Sequence, residues 1–287
     1  MPKLFLRLLA ACFVLVLIFS EKIQSKNALP IAIEWKYLDN GLSVTEINGP
    51  YISKYSDSKV TVLKIDPNFF DIEMIVATET DSILRTIKEW CKIKELTGAV
   101  NAGMYSLKDH ISSLGFMQNN SHVTNPNIKN NFNALAVFNP KDPTLSSFQI
   151  IDMVNQDWKP ILQNYSSCFQ SIRMIDDSGK AIYWSHKPIL SCSMSVLAKD
   201  KSGNILFLFT RSPYNANEFI DFMLTSGLNI QTAMYLEGGP EASLYVQTDA
   251  NEITKFGSYV SFSNPDDDNL ELRKMPNILG FRKKIKK

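Results

Sequence analysis

Residues 193–246 read SMSVLAKDKSGNILFLFTRSPYNANEFIDFMLTSGLNIQTAMYLEGGPEASLYV, and this stretch decides the fold. Residues 193–198 and 205–210 are apolar, and the turn sequence Lys201-Ser202-Gly203-Asn204 separates them. Two strand-like segments joined by such a turn predict a β-hairpin. Residues 232–236 return to a strand pattern.

A helix is predicted between the hairpin and that strand, over residues 215–225. Asn215 is a candidate N-cap, and Glu218 stands three residues later, as a capping box requires. Phe219 and Phe222 begin an apolar face, and Gly227 ends the helix because glycine readily adopts the left-handed conformation there.

The same strand-rich pattern extends in both directions from this stretch. A helix is predicted over residues 80–95, with Asp81 or Ser82 as its cap, and a shorter one over 158–164. The other segments with strand character are 60–65, 70–76, 134–138, 148–154, 172–175, 181–184, 244–246 and 277–281, with a hairpin around 118–121. Strands outnumber helices, which predicts an α+β single domain: a mixed, largely antiparallel β-sheet flanked by helices.

Length and charge narrow the class of protein. The 287 residues include 30 Lys plus Arg and 29 Asp plus Glu, with 45% hydrophobic residues. A near-neutral chain of this composition is expected to fold around one core and gives no reason to expect a nucleic-acid partner. The three histidines and four cysteines form no cluster with metal-ligand spacing, so we expect neither a metal nor another cofactor.

The N-terminus resembles an export signal. Lys3 and Arg7 precede an apolar run at 8–19, which is too short for a comfortable membrane span. We therefore expect a signal peptide at 1–25, an N-terminal extension at 26–58 and the main domain at 59–283. The protein is predicted to be periplasmic or secreted, in contact with the membrane only through the N-terminal segment. The lipobox-like stretch 9–12 leaves a lipid anchor at Cys12 as an alternative.

Three cysteines remain after such a leader: Cys91, Cys168 and Cys192. A disulfide between Cys168 and Cys192 is one expectation for an exported protein, and three buried thiols is the other.

The densest polar segment is 235–245, where Glu237 ends a strand, Gly238 and Gly239 follow, and Glu241 and Ser243 complete the loop. Glycines allow a sharp turn and close approach of a ligand, and their amides can bind an anion. This segment predicts a site in which Glu237 acts on water or a sugar. The alternative is a tight connection with a solvated glutamate.

Three weaker patterns accompany this loop. Asn101 precedes Gly103 and Tyr105 after an apolar strand, and Arg211 ends the predicted strand before the capped helix. The third pattern consists of Gln170, Ser171 and Arg173. Amides and hydroxyls suit sugar hydroxyls, and the planar guanidinium suits a phosphate. An ordinary turn and surface arginines are the alternative interpretations.

In this order the segments resemble the phosphodiester glycosidase family, over residues 60–282. Matching segments are Asn101-Ala102-Gly103-Met104-Tyr105, Leu114-Gly115-Phe116, Gln170-Ser171, Thr210-Arg211, Ser226-Gly227-Leu228 and 236–244. The resemblance implies an exported hydrolase that cleaves a sugar-1-phosphodiester without a cofactor. It implies Glu237, Arg211 and Asn101 as catalytic residues. The implied substrate-binding residues are Gly103, Tyr105, Gln170, Ser171, Arg173, Gly238, Gly239, Glu241 and Ser243.

Two departures from the family pattern keep other functions open. Glu237 stands where the family has aspartate, and no arginine stands near Met194, where the family has one. The alternatives are an envelope protein of this fold that binds a glycan without turnover, and an assembly or polysaccharide-export component that uses the domain as a scaffold.

Overall fold

The computed structural model describes residues 33–185, 191–260 and 265–285. All of these from Glu34 onward belong to one compact unit, Glu34–Lys287. The predicted leader at 1–25 and the first residues of the predicted extension lie outside the described residues. No described helix is long and apolar enough to span a membrane.

The largest sheet has seven strands and contains the hairpin predicted at 193–210. In sheet order its strands are β1 (Lys36–Asp39), β2 (Leu42–Asn48), β3 (Lys59–Ile65), β14 (Ile205–Asn215), β13 (Ser191–Asp200), β15 (Ile230–Gly238) and β12 (Arg173–Ile175), numbered along the chain. The residues assigned to an N-terminal extension thus supply the first two strands of this sheet.

Two five-stranded sheets complete the core. One contains β10 (Phe148–Asp152), β9 (Ala134–Pro140), β11 (Tyr165–Ser171), β7 (Met117–Asn119) and β8 (His122–Asn125). The other contains β17 (Glu252–Phe256), β16 (Ser243–Gln247), β6 (Gly98–Asn101), β19 (Asn277–Lys283) and β4 (Phe70–Val76). A short pair joins β5 (Arg85–Thr86) to β18 (Lys274–Met275).

The described α-helices are few and short: α1 (Ile87–Ile93), α2 (Trp158–Gln163) and α3 (Ala216–Thr225). Every strand pairing within the described ranges is antiparallel. The largely antiparallel prediction is confirmed, whereas the described pairings include no parallel part of a mixed sheet. The fold is rich in strands with few helices, and α1 packs on the sheet of β6 while α2 packs on the sheet of β9.

One hydrophobic cluster takes side chains from all three large sheets. Phe207 comes from the seven-stranded sheet, Phe138 and Phe169 from the second sheet, and Val100 and Phe281 from the third. Burial of apolar surface on both faces of these strands is the main stabilising contribution. The interlocked sheets hold the ends of β6, β13 and β15 in fixed positions.

The predicted capping box of α3 is confirmed, with the Asn215 side chain accepting from Asn217 N at 2.8 Å. The cap predicted for α1 is wrong: Thr86 caps that helix, with Glu89 completing the box. Residues 85–86 pair as β5, so the helix begins only after them. The strands predicted at 60–65 and 70–76 exist as β3 and β4 but belong to different sheets, because β2 and β14 flank β3.

Candidate active site

Strand β15 delivers Glu237 to a tight turn at its carboxyl end. Gly239 adopts φ +65°, in the left-handed region that favours glycine, and Gly239–Glu241 form a single 3₁₀ turn. A Cβ at Gly238 would overlap the Tyr235 hydroxyl and lie 2.9 Å from Cys192 Sγ. The backbone therefore has no space for a side chain, and the turn fixes the direction in which Glu237 leaves the strand.

Asn101, at the end of β6, ties this turn to the neighbouring strands. Its Oδ1 accepts from Ser195 Oγ at 2.7 Å and from the backbone N of Ser243 at 3.1 Å. Ser195 lies opposite Glu237 in the β13–β15 pairing, and its Oγ also lies 3.3 Å from the Glu237 carbonyl oxygen. Three strands from two sheets thus bring Asn101, Glu237 and Ser243 together.

The Nδ2 of Asn101 is a buried donor without a hydrogen-bond partner among the described residues. An unmade hydrogen bond at a buried donor costs about 1–3 kcal/mol. Such a cost is typical of a site where a ligand supplies the missing acceptor. Asn101 therefore has one amide atom that organises the site and one that is free for a substrate oxygen.

Two carboxyl groups of this turn have perturbed acidities. The pKa of Glu237 is raised to about 8, mainly by burial and in addition by the negative charge of Glu241, although the hydrogen bond from Gly238 N to Oε1 (3.0 Å) lowers it. Burial also raises the pKa of Glu241, while the positive charges of Arg273 and His110 lower it. A carboxyl group that titrates near neutral pH is suited to proton transfer.

A cleft of about 740 Å³ opens beside Glu241. Tyr105, His110, Tyr259 and Arg273 line it together with Glu241. Burial raises the pKa of Tyr105, and the charges of Glu241 and Glu237 raise it further, so its hydroxyl stays neutral and can donate. This cleft provides a wall of hydrogen-bonding groups next to the carboxyl pair, and Arg273 and Lys274 add two cations.

Arg211 lies on β14, and its guanidinium is bound by other residues of the protein. Its guanidinium pairs with Asp267 at 2.6 Å and donates to the carbonyl oxygens of Asn269 at 2.8 Å and Phe256 at 3.0 Å. Asn269 lines the cleft, so Arg211 supports the cleft wall from behind. Arg211 is therefore close to the cleft, but its N–H donors already bond to the Asp267 carboxylate and to backbone carbonyl oxygens.

Lys274 and Arg273 both line the cleft, and Arg273 is the arginine there. Its guanidinium lies 4.8 Å from the centre of the Tyr259 ring. Among the described residues no carboxylate lies within 4.0 Å of it, whereas Arg211 has Asp267. Arg273 stands in a polar segment without a strand or loop signature, and His110 is distant in sequence from the other histidines, so no sequence pattern indicates either residue.

Three predicted substrate-binding side chains in mid-chain make their hydrogen bonds with other parts of the protein: Gln170, Ser171 and Arg173. The Gln170 amide bonds to backbone groups of Phe116, Lys129 and Phe132. The buried Ser171 hydroxyl donates to the Tyr235 carbonyl oxygen and so anchors β15. Gly103, with φ +68°, bends the chain between Asn101 and Tyr105.

Arg173 belongs to a separate acidic cluster. Asp152, Asp176 and Asp177 bring carboxylate oxygens within 4.8 Å of one another, a spacing that could hold a cation. Arg173 Nη1 lies 2.5 Å from both oxygens of Asp152, which is almost fully buried. The guanidinium already supplies positive charge there, so we assign no metal to this cluster.

The three cysteines among the described residues, Cys91, Cys168 and Cys192, are free thiols. Cys168 packs in the core of the second sheet with Leu135 and Tyr165, while Cys192 lies against Gly238 at the start of β13. The disulfide expected between Cys168 and Cys192 is not formed, because the two side chains pack in different places. Burial raises the pKa of the Cys192 thiol to about 11.

The fold has known counterparts. The catalytic domain of zebrafish N-acetylglucosamine-1-phosphodiester alpha-N-acetylglucosaminidase, auto-inhibited by its pro-peptide, matches with a TM-score of 0.56 at 12% identity, over 90% of this chain and 86% of that one. A hypothetical protein from Synechocystis matches with a TM-score of 0.56 at 12% identity, over 88% of this chain and 64% of that one. Both likenesses establish the fold.

The sequence itself gives the family. Residues 94–282 match the model of the phosphodiester glycosidase family, and they include β6, the Glu237 turn and the closing strand β19. Curated protein sequences give no match. The chain therefore belongs to the phosphodiester glycosidase family, and the resemblance noted from its motifs is confirmed.

Proposed function

We propose that this protein is an exported hydrolase that cleaves a sugar-1-phosphodiester at the glycosidic C–O bond. The observation that carries the proposal is the position of Glu237: it ends β15 in a glycine turn, its backbone is linked to Asn101 through Ser195, and its pKa is about 8. Membership of the phosphodiester glycosidase family supports the same reaction class.

The reaction needs little help from an acid. The bond between the anomeric carbon and the phosphate oxygen breaks, and the electron pair leaves with the phosphate monoester, which is stable without a proton. Water forms the new bond to the anomeric carbon, and its proton passes to the Glu237 carboxylate. Glu241 provides negative charge near the positive charge that develops on the sugar ring.

The remaining groups hold the substrate. Arg273 offers the guanidinium for the phosphate, as the planar fork of an arginine favours. Asn101 Nδ2 and the Tyr105 hydroxyl donate to sugar oxygens. Arg273 thereby supplies the cation that the sequence lacks near Met194.

Replacement of Glu237 by glutamine tests the role of the carboxyl group. Glutamine keeps the volume and an acceptor for Gly238 N but cannot take a proton, so release of free sugar from methyl diesters of sugar 1-phosphates should fall by about 10²–10⁴-fold. Glu252→Gln is the matched control, because Glu252 is half-exposed and pairs with Lys88 at 2.5 Å. Turnover by Glu237→Gln at the wild-type rate would remove Glu237 from the mechanism.

A second function is glycan binding without turnover. Two observations favour it: Met194 and its neighbours provide no arginine, and the donors of Arg211 are engaged by Asp267 and backbone carbonyls. Calorimetry would then show binding of a sugar phosphate that remains intact after long incubation. Release of sugar that depends on Glu237 would exclude this alternative.

A further inference from the structure

Exposed leucines stand at the mouth of the cleft that contains Glu241 and Arg273. Leu107, from the loop after β6, has 76% of its surface exposed, and Leu270, from the loop before β18, has 84%. Leu84 and Leu272 line the same cleft. These leucines form an apolar rim in a cleft that also contains the charged residues Asp268, Glu271, Arg273 and Lys274.

Single exposed leucines are common on protein surfaces, but two at one cleft offer apolar surface that a bound ligand can cover. The rim is continuous with the candidate site, since Leu270, Leu272 and Arg273 belong to one short segment. A ligand whose phosphate meets Arg273 would therefore extend its other substituent along leucine side chains. In a sugar-1-phosphodiester that substituent is the aglycone.

We infer that the substrate is a sugar phosphate esterified to a hydrocarbon chain, with the chain lying against Leu107 and Leu270. The inference rests on the proposed function only for the position of the phosphate. The polar half of such a ligand fits Glu241, Tyr105 and Arg273, and the apolar half fits the rim. A soluble, polar aglycone would leave both leucines in water.

Binding of two simple phosphates tests this independently of catalysis. n-Decyl phosphate, used below its micelle concentration, and ethyl phosphate are titrated into the full chain by calorimetry. Each buried methylene strengthens binding about fourfold, so three or four methylenes on the rim give about a 100-fold tighter complex for the decyl compound. Equal affinity for the two phosphates, or no binding of either, would overturn the inference.

Matched double variants locate the effect. Leu107→Ser with Leu270→Ser should reduce the preference for decyl phosphate to about tenfold or less. Ile52→Ser with Ile93→Ser is the control, because these side chains are 92% and 56% exposed and do not line the cleft. An equal loss in both double variants would mean that the chain binds elsewhere.

Failure of this inference and failure of the proposed function give different results. Hydrolysis of methyl and decyl diesters at the same rate would remove the hydrocarbon preference and leave the hydrolase intact. Selective binding of decyl phosphate by a protein that hydrolyses neither diester would support the apolar rim and contradict the hydrolase.

Discussion

Replacement of Glu237 by glutamine is expected to stabilise the protein at neutral pH while it removes the proposed catalytic base. The carboxyl group titrates at 4.5 in an unperturbed state and at about 8 in the folded protein. Between these values the unfolded chain has released its proton and the folded chain still holds it. The free energy of unfolding therefore decreases as pH rises through this window. The decrease is complete above pH 8, where both states have lost the proton.

The size of the effect follows from the same difference. A pKa difference of one unit corresponds to about 1.4 kcal/mol. The rise in the pKa of Glu237 on folding therefore sets an upper bound of roughly 5 kcal/mol on the loss of stability. Glu237 is only partly buried, so water screens its charge and the effect is smaller than this bound. We expect about 2 kcal/mol at pH 8, or roughly a 5 °C rise in the melting temperature of the glutamine variant.

Urea unfolding of the two proteins at pH 4.5 and pH 8 measures this difference. Glutamine is neutral throughout, so the variant should equal the wild type in acid and exceed it at pH 8. Glu252→Gln, at a glutamate whose pKa is lowered mainly by its hydrogen bond with Lys88, should bring no gain at pH 8. The reasoning fails if Glu237→Gln has the same stability as the wild type at both pH values, or is less stable at pH 8.

Three further predictions concern the same turn. If Glu237 is the base, kcat/KM should rise by about tenfold per pH unit up to about pH 8, and a fall between pH 6 and 8 would contradict that role. Gly238→Ala should cost about 1–3 kcal/mol in urea unfolding, because the new methyl group overlaps the Tyr235 hydroxyl; wild-type stability with full turnover would show that the turn adapts. Asn101→Ala should lose about 1–3 kcal/mol, since Ser195 Oγ and Ser243 N lose their acceptor; an unchanged melting curve would argue against this network.

Structural features that depend on neighbouring residues were predicted correctly from the sequence. The turn at 201–204, the capping box of Asn215 and Glu218, and the strands at 134–138 and 277–281 all appear in the structure. Each depends on residues close together in the chain, where backbone preference and hydrogen bonding act directly. The start of α1 was missed because pairing of β5 with a strand almost 190 residues later determines it.

Sequence alone determined that this chain is rich in antiparallel strands, that it resembles the phosphodiester glycosidases, and that Glu237 stands in a glycine turn. Only the tertiary structure decided which arginine faces the cleft. Arg211 and Arg273 have the same chemistry, but Asp267 and backbone carbonyls engage the first, and the second lies beside Tyr259 at the cleft. Spacing along a chain specifies strands and caps, whereas the partner of a long charged side chain depends on segments that folding brings together from a distance.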